Sequence, residues 1–159
     1  MQEATYALYG RSKGQMQENV KNMNAYIEEQ IVIKFMKKQH QDRALYMLNS
    51  KKKRDRFLLG LTKDFFVDRY IHVIPKKNNT VSQLIMTLNN LSKRDEYYLM
   101  MPGMLDGDNA TLEATLSTLF GFGPFLLYFM NCSFCYFEEE QAYGAPGRYL
   151  LWREEEKPL

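Results

Sequence analysis

Two short loops hold the residues best suited to a charged ligand: Lys76-Lys77, just after the run RYIHVIP, and Asp106-x-Asp108, just after YYLMMPG. Brought to one crevice, the lysines would hold an anion or a nucleotide phosphate, aided by the partial positive charge of a helix N-terminus near Asn109. Asp106, Asp108 and Glu113 offer the oxygen ligands that a hard cation takes, but the EF-hand spacing is not met and no metal or cofactor is expected. The plainer reading has Asp108 or Asn109 capping a helix, with Gly107 supplying a turn.

Cys132 and Cys135 form a C-x-x-C, yet they sit among aromatic residues in or beside a strand. Redox pairs of this spacing open a helix, whose dipole lowers the thiol pKa, and a zinc site needs a second pair, so packing is the expected role. His72 alternates within an apolar run and reads as a core histidine, while His40 lies in the polar stretch KKQHQD and is expected at the surface. No Walker loop, G-x-G-x-x-G or Ser-His-Asp order is present, so nothing supports catalysis.

The remaining chemistry is charge. Residues 1–80 carry 16 Lys and Arg against 8 Asp and Glu, and residues 81–159 carry 5 against 11, so the two halves differ in sign although the net charge is +2. Polarity of this kind bears on partners and encounter rates rather than on fold. Two contact sets follow. The acidic set, Asp106, Asp108, Glu113, Glu138, Glu139 and Glu140, suits a partner protein. The basic set, Lys51, Lys52, Lys53, Arg54 and Arg56, with Lys34, Lys37, Lys38 and Arg43 nearby, suits phosphates, although a solvated helix face is the plainer reading.

These residues need elements to place them. Met16, Val20, Met23, Ile27, Ile31 and Phe35 recur at steps of three and four, predicting one amphipathic helix over 15–38. A second helix is expected over 42–49 and a third after Ser50, whose hydroxyl can cap it, ending near Gly60. Residues 70–74 then read as a strand stopped by Pro75. Thr80 caps a helix bearing Val81, Leu84, Ile85, Leu88 and Leu91, and residues 97–101 form a second strand. A further helix carries Leu112, Leu116 and Leu119, stops at Gly121 and Gly123, and leads to a third strand from Phe125. Phe134 to Glu138 and Arg148 to Trp152 make a final antiparallel pair across the turn at Tyr143-Gly-Ala-Pro-Gly, and the tail EEEKPL is expected to fray.

Solid apolar strands joined by helices are normally parallel and covered on both faces. The expected class is therefore α/β, with α+β as the alternative: a β-α-β-α-β core followed by an antiparallel hairpin, giving a mixed sheet under a helical N-terminal third. One domain over 1–159 is expected, divided into a helical part at 1–65, the sheet with its helices at 66–153 and the tail at 154–159. The succession RDRFLLGL, a strand ending in proline, the LDG turn, FGFGP, an apolar strand, FCYFEEE and RYLLWR resembles a family of small bacterial proteins of unknown function, over roughly residues 30 to 153. The resemblance implies a bacterial or phage origin and supplies no site residues. TVSQLIMTLNN followed by DEYY is fainter in its similarity to the barstar family.

The opening MQEATYALYGRSKGQMQ lacks a basic segment followed by an apolar one, and the apolar stretch 120–130 is too short to span a bilayer, so a cytoplasmic protein is expected. The leading expectation for function is a protein-interaction module of the immunity or antitoxin kind, with the acidic half as its contact face. Nucleic-acid binding through the basic set is the alternative, and nucleotide or anion binding at Lys76, Lys77, Asp106 and Asp108 is a third. A homodimer is also compatible with the pattern.

Overall fold

The computed structural model describes residues 13–76, 80–92, 96–103, 110–141 and 143–157. Along the chain run helices α1 (Lys13–Phe35), α2 (Lys38–Leu48) and α3 (Arg54–Leu59), then strand β1 (Ile71–Val73), α4 (Val81–Ser92), β2 (Tyr98–Met100) and α5 (Leu112–Leu119). Strands β3 (Phe125–Phe129), β4 (Phe134–Glu138) and β5 (Arg148–Leu151) follow. Helices and strands mix as expected, with α1 to α3 gathered before the first strand.

The five strands form one sheet in the order β1-β5-β4-β3-β2. Every pairing is antiparallel: Ile71 opposes Leu151, Tyr98 opposes Tyr128, Phe129 opposes Phe134, and Glu138 opposes Arg148. The parallel β-α-β-α-β core and the mixed sheet expected from the sequence do not form; the α+β alternative describes the molecule. β1 and β2 point the same way but occupy opposite edges. Helix α4, about 18 Å long at 1.5 Å per residue, bridges the roughly 19 Å between outer strands spaced ~4.8 Å apart.

The physical reason lies in what a solid apolar strand reports. It reports cover on both faces, whichever way its neighbours run. On one face Leu126, Tyr128, Phe137 and Leu151 pack under Ile31, Phe35, Leu48, Phe57 and Leu58 of α1 to α3. On the other, Phe125, Leu127, Phe129, Phe134 and Tyr136 pack under Leu84 and Leu88 of α4 and Leu112 and Leu116 of α5. Successive side chains alternate between these two layers, so β3 has no polar face. Each fully buried Leu or Phe contributes about 1.5–3 kcal/mol of transfer free energy.

Thr80 and Gln83 form a capping box, the Gln83 amide donating to Thr80 Oγ1 and the Thr80 amide to Gln83 Oε1, both at 3.2 Å. α5 is capped by Thr111, which accepts from the Ala114 amide at 3.2 Å; Asn109 and Asp108 lie outside the described residues. Ser50 serves α3 through its carbonyl, accepting from the amides of Lys53 and Arg54, rather than through its hydroxyl. The tail, expected to fray, makes one 3-10 turn over Glu154–Glu156.

The apolar stripe of α1 divides. Ile31 and Phe35 enter the core and Ile27 packs at its margin, whereas Met16, Val20 and Met23 are 58%, 52% and 65% exposed. Lys34 Nζ reaches Tyr128 Oη of β3 at 3.5 Å, and Glu28 accepts from Tyr98 Oη of the edge strand β2 at 2.7 Å. Followed toward its start, α1 therefore crosses the sheet and runs out past the β2 edge.

Candidate interaction surface

The anion crevice loses its premise. It required β1 and β2 to be neighbours, and they are separated by three strands. Lys76 is exposed at the β1 edge; Lys77, Asp106 and Asp108 lie outside the described residues. No group of three or more His, Cys, Asp or Glu side chains among the described residues is placed to hold a metal ion.

Glu138 proves to be an anchor and not a contact residue. Its side chain is fully buried, and it takes Arg148 Nε on Oε1 at 2.6 Å, with Arg148 only 5% exposed. The Gly121 amide donates to both carboxylate oxygens and the Gly123 amide to Oε2 at 3.1 Å. Tyr136 Oη donates at 3.5 Å, and the Arg148 guanidinium stacks 3.9 Å over the Phe120 ring. A carboxylate so deep in the protein is tolerable because charge and hydrogen bonds are supplied together. Burial, with the nearby Glu138 charge second, pushes the Tyr136 phenol well above its ordinary value.

The consequence is that the loop 120–124 is fastened to the end of β4. Gly121 holds a positive φ of 86° just after α5, and a Cβ at Gly123 would collide with the Glu139 carbonyl oxygen, so both glycines are needed there. Glu139, half-buried, points to the other face of the sheet. It accepts from the Lys63 amide at 2.8 Å and Tyr149 Oη at 3.1 Å, tying the β4–β5 loop to the segment after α3.

Above these anchors two aromatic side chains stand out into solvent. Phe122 is 77% exposed and Tyr143 is 98% exposed. Gln141 Nε2 donates to the Gly144 carbonyl, and Gly144 adopts a φ of 73°, closing the turn that presents Tyr143. Glu140 is exposed on the same loop as Tyr143. Between Arg94 and Arg148 the chain contains no Lys or Arg, so these two loops bring only negative charge.

Glu113 is exposed but stands apart from this group. It lies in the first turn of α5, whose start is held by Tyr97 Oη donating to the Ala110 carbonyl at 2.7 Å, next to the opposite end of β2. The acidic contact set therefore reduces, among the described residues, to Glu139 and Glu140 joined by Phe122 and Tyr143. The aromatic pair had been readable only as turn residues, because periodicity carries no information on which loops meet.

The basic set is also altered. Lys51, Lys52, Lys53 and Arg56 are exposed, with Lys53 Nζ donating to Tyr46 Oη at 2.8 Å. Arg54 is withdrawn from it. Its guanidinium grips both oxygens of buried Glu28, with Nη1 to Oε2 at 2.7 Å and Nη2 to Oε1. Tyr98 Oη completes the cluster, its pKa raised by burial and by the Glu28 charge.

The cysteines occupy different layers, Cys135 in the core under α1 to α3 and Cys132 at the margin of the core under α4 and α5. Burial pushes the Cys135 thiol well up. His72 is half-buried and stacks on Trp152 with ring centroids 3.6 Å apart, its pKa lowered by burial. His40, expected at the surface, packs half-buried on Phe65 with centroids 4.9 Å apart. Among the described residues no helix is long and apolar enough to cross a membrane.

No protein-family model matches the chain, and no curated protein and no solved structure shows significant similarity to it.

Proposed function

We propose that the chain is a protein-interaction module that binds a basic protein surface through the loops 120–124 and 139–147. The observation that carries this is the exposure of Phe122 and Tyr143 on loops fastened at their bases by Glu138 and Glu139. Exposed aromatics on preorganised loops are the residues that anchor interfaces, since they bury large area at little cost in side-chain entropy. Glu139 and Glu140 set the sign of the partner, and complementary charge raises association rates. In this reading the chain is a bacterial cytoplasmic inhibitor of the immunity or antitoxin kind.

The test is affinity capture from the source cells with the native chain and with a Phe122→Ala, Tyr143→Ala, Glu140→Lys variant. A protein recovered at stoichiometric level is then purified and titrated against both. At least tenfold weaker binding by the variant is expected; equal binding, or no partner that rebinds when pure, removes the reading.

A second reading rests on the exposed run Lys51, Lys52, Lys53 and Arg56 at the start of α3. Nucleic acid bound there would show affinity falling steeply with salt in a titration of labelled duplex. Absence of binding at low salt ends it.

A further inference from the structure

The turn between α2 and α3 carries more positive charge than the fold uses. Residues 37–56 hold eight Lys and Arg against two Asp. Arg54 is bound to buried Glu28, Lys37 pairs with Asp68 at 3.4 Å, and Asp55 accepts from the Gly103 amide at 3.0 Å. Arg43, Lys51, Lys52 and Arg56 are exposed and, among the described residues, form no ion pair. Like charges gathered in this way repel one another, so they do not stabilise the folded chain, whereas an anionic ligand would draw on all of them.

An aromatic ring stands among them. Tyr46, on the last turn of α2, is 63% exposed. Arg43 precedes it by one turn on the same helix, so the two share a face. From the other side of the turn, Lys53 Nζ donates to Tyr46 Oη at 2.8 Å and lies 4.5 Å from the ring centroid. The ring is held by its hydroxyl and left open to solvent between cations.

We propose that this turn binds single-stranded nucleic acid, with a base stacked on Tyr46 and the neighbouring phosphates on Arg43, Lys51 and Lys52. The proposal rests on the second reading above and names its ligand. Phosphate contacts need only charge at suitable spacing, and a duplex satisfies them as well as a single strand does. The ring decides between the two. Bases in a duplex stay stacked on one another, whereas a single strand has base faces free to meet an aromatic side chain. A lipid surface would call for apolar side chains to enter it, and the exposed residues of the turn are Asn49, Lys51, Lys52 and Lys53.

Fluorescence anisotropy of a labelled strand of about 12 nucleotides, as DNA and as RNA, and of the matching duplex is measured at about 50 and 200 mM salt. The native chain is expected to bind at least one strand about fivefold or more tighter than the duplex, the least that one stacked base provides. Tyr46→Ala should weaken strand binding by about tenfold and leave duplex binding unchanged. Tyr46→Phe keeps the ring and loses only the hydroxyl that Lys53 holds, so it should bind within about twofold of the native chain. Lys51→Ala with Lys52→Ala should weaken strand and duplex alike and flatten the salt dependence. All three positions are exposed, and unchanged Trp152 fluorescence checks that the variants fold. Equal binding of strand and duplex, with Tyr46→Ala without effect, overturns the proposal and leaves the duplex reading standing; no binding of either at low salt removes both. A loss in Tyr46→Phe equal to that in Tyr46→Ala, or polyglutamate bound as tightly as the strand, also overturns it.

Discussion

Glu138 and Arg148 face each other across the β4–β5 ladder, with Nε donating to Oε1 at 2.6 Å, and both side chains are closed off from water. The pair stands where β4 ends, so the remaining valences of the carboxylate reach sideways to the Gly121 and Gly123 amides. One acidic residue thereby joins three segments: the two strands and the loop that carries Phe122.

Glu138→Gln should be among the most damaging single changes in the chain. It leaves the Arg148 guanidinium buried without its counter-charge, for a loss of about 3–5 kcal/mol in urea unfolding. Replacing both residues, with Glu138→Gln and Arg148→Met, should lose less than the single change, because no charge is then stranded. A single-variant loss under about 1 kcal/mol would show that the pair does not hold this end of the sheet.

Glu28→Ala removes the acceptor shared by Arg54 and Tyr98, in a cluster whose arginine retains some solvent contact. An effect of about 1–3 kcal/mol is expected, with Tyr98→Phe near the lower end of that range. Hydrogen exchange should also quicken in α3 relative to β3 and β4. Equal exchange in both would place the stability of α3 elsewhere.

The tyrosines set an alkaline limit. Burial, with the Glu139 charge second, pushes Tyr149 from its ordinary value of 10.0 up to about 12. Tyr98 and Tyr136 are raised in the same direction. A folded pKa above the unfolded one means that the folded form holds its proton more tightly. The stability this provides is present below pH 10 and is lost as pH rises toward 12. Absorbance at about 295 nm, the tyrosinate band, should show these phenols ionising only as the protein unfolds; normal titration of all eleven tyrosines in the folded chain would contradict the burial.

The two thiols should differ in kind. Cys132, half-buried and donating to the Ser92 carbonyl at 3.4 Å, should react with a disulfide reagent in native buffer, whereas Cys135 should react only in denaturant. Oxidation should not link them, since their side chains belong to layers on opposite faces of the sheet. Recovery of a Cys132–Cys135 disulfide from native protein would refute that placement.

Much of the local structure was legible in the sequence. The stripe Ile27, Ile31, Phe35 marks the buried face of α1, Thr80 marks the start of α4, and the turn-rich connection 139–147 marks an antiparallel pair, because these signals depend only on neighbours along the chain. The site was less legible. Glu138, one of three successive glutamates, looked like surface charge until its cross-strand partner was known, and Arg54, one of a basic run, gave no sign that Glu28 waits on another helix.

The sequence by itself determined which segments are helix and strand, that both faces of the sheet are covered, and that charge is divided between the halves of the chain. Only the tertiary structure decided that β1 and β2 lie at opposite edges, that every strand runs antiparallel to its neighbour, and that Phe122 and Tyr143 stand on neighbouring loops. Apolar runs reward burial from any direction, so they leave pairing order undecided. Order is chosen when the whole sheet closes, by which edges α4 can bridge and which buried charges find their partners.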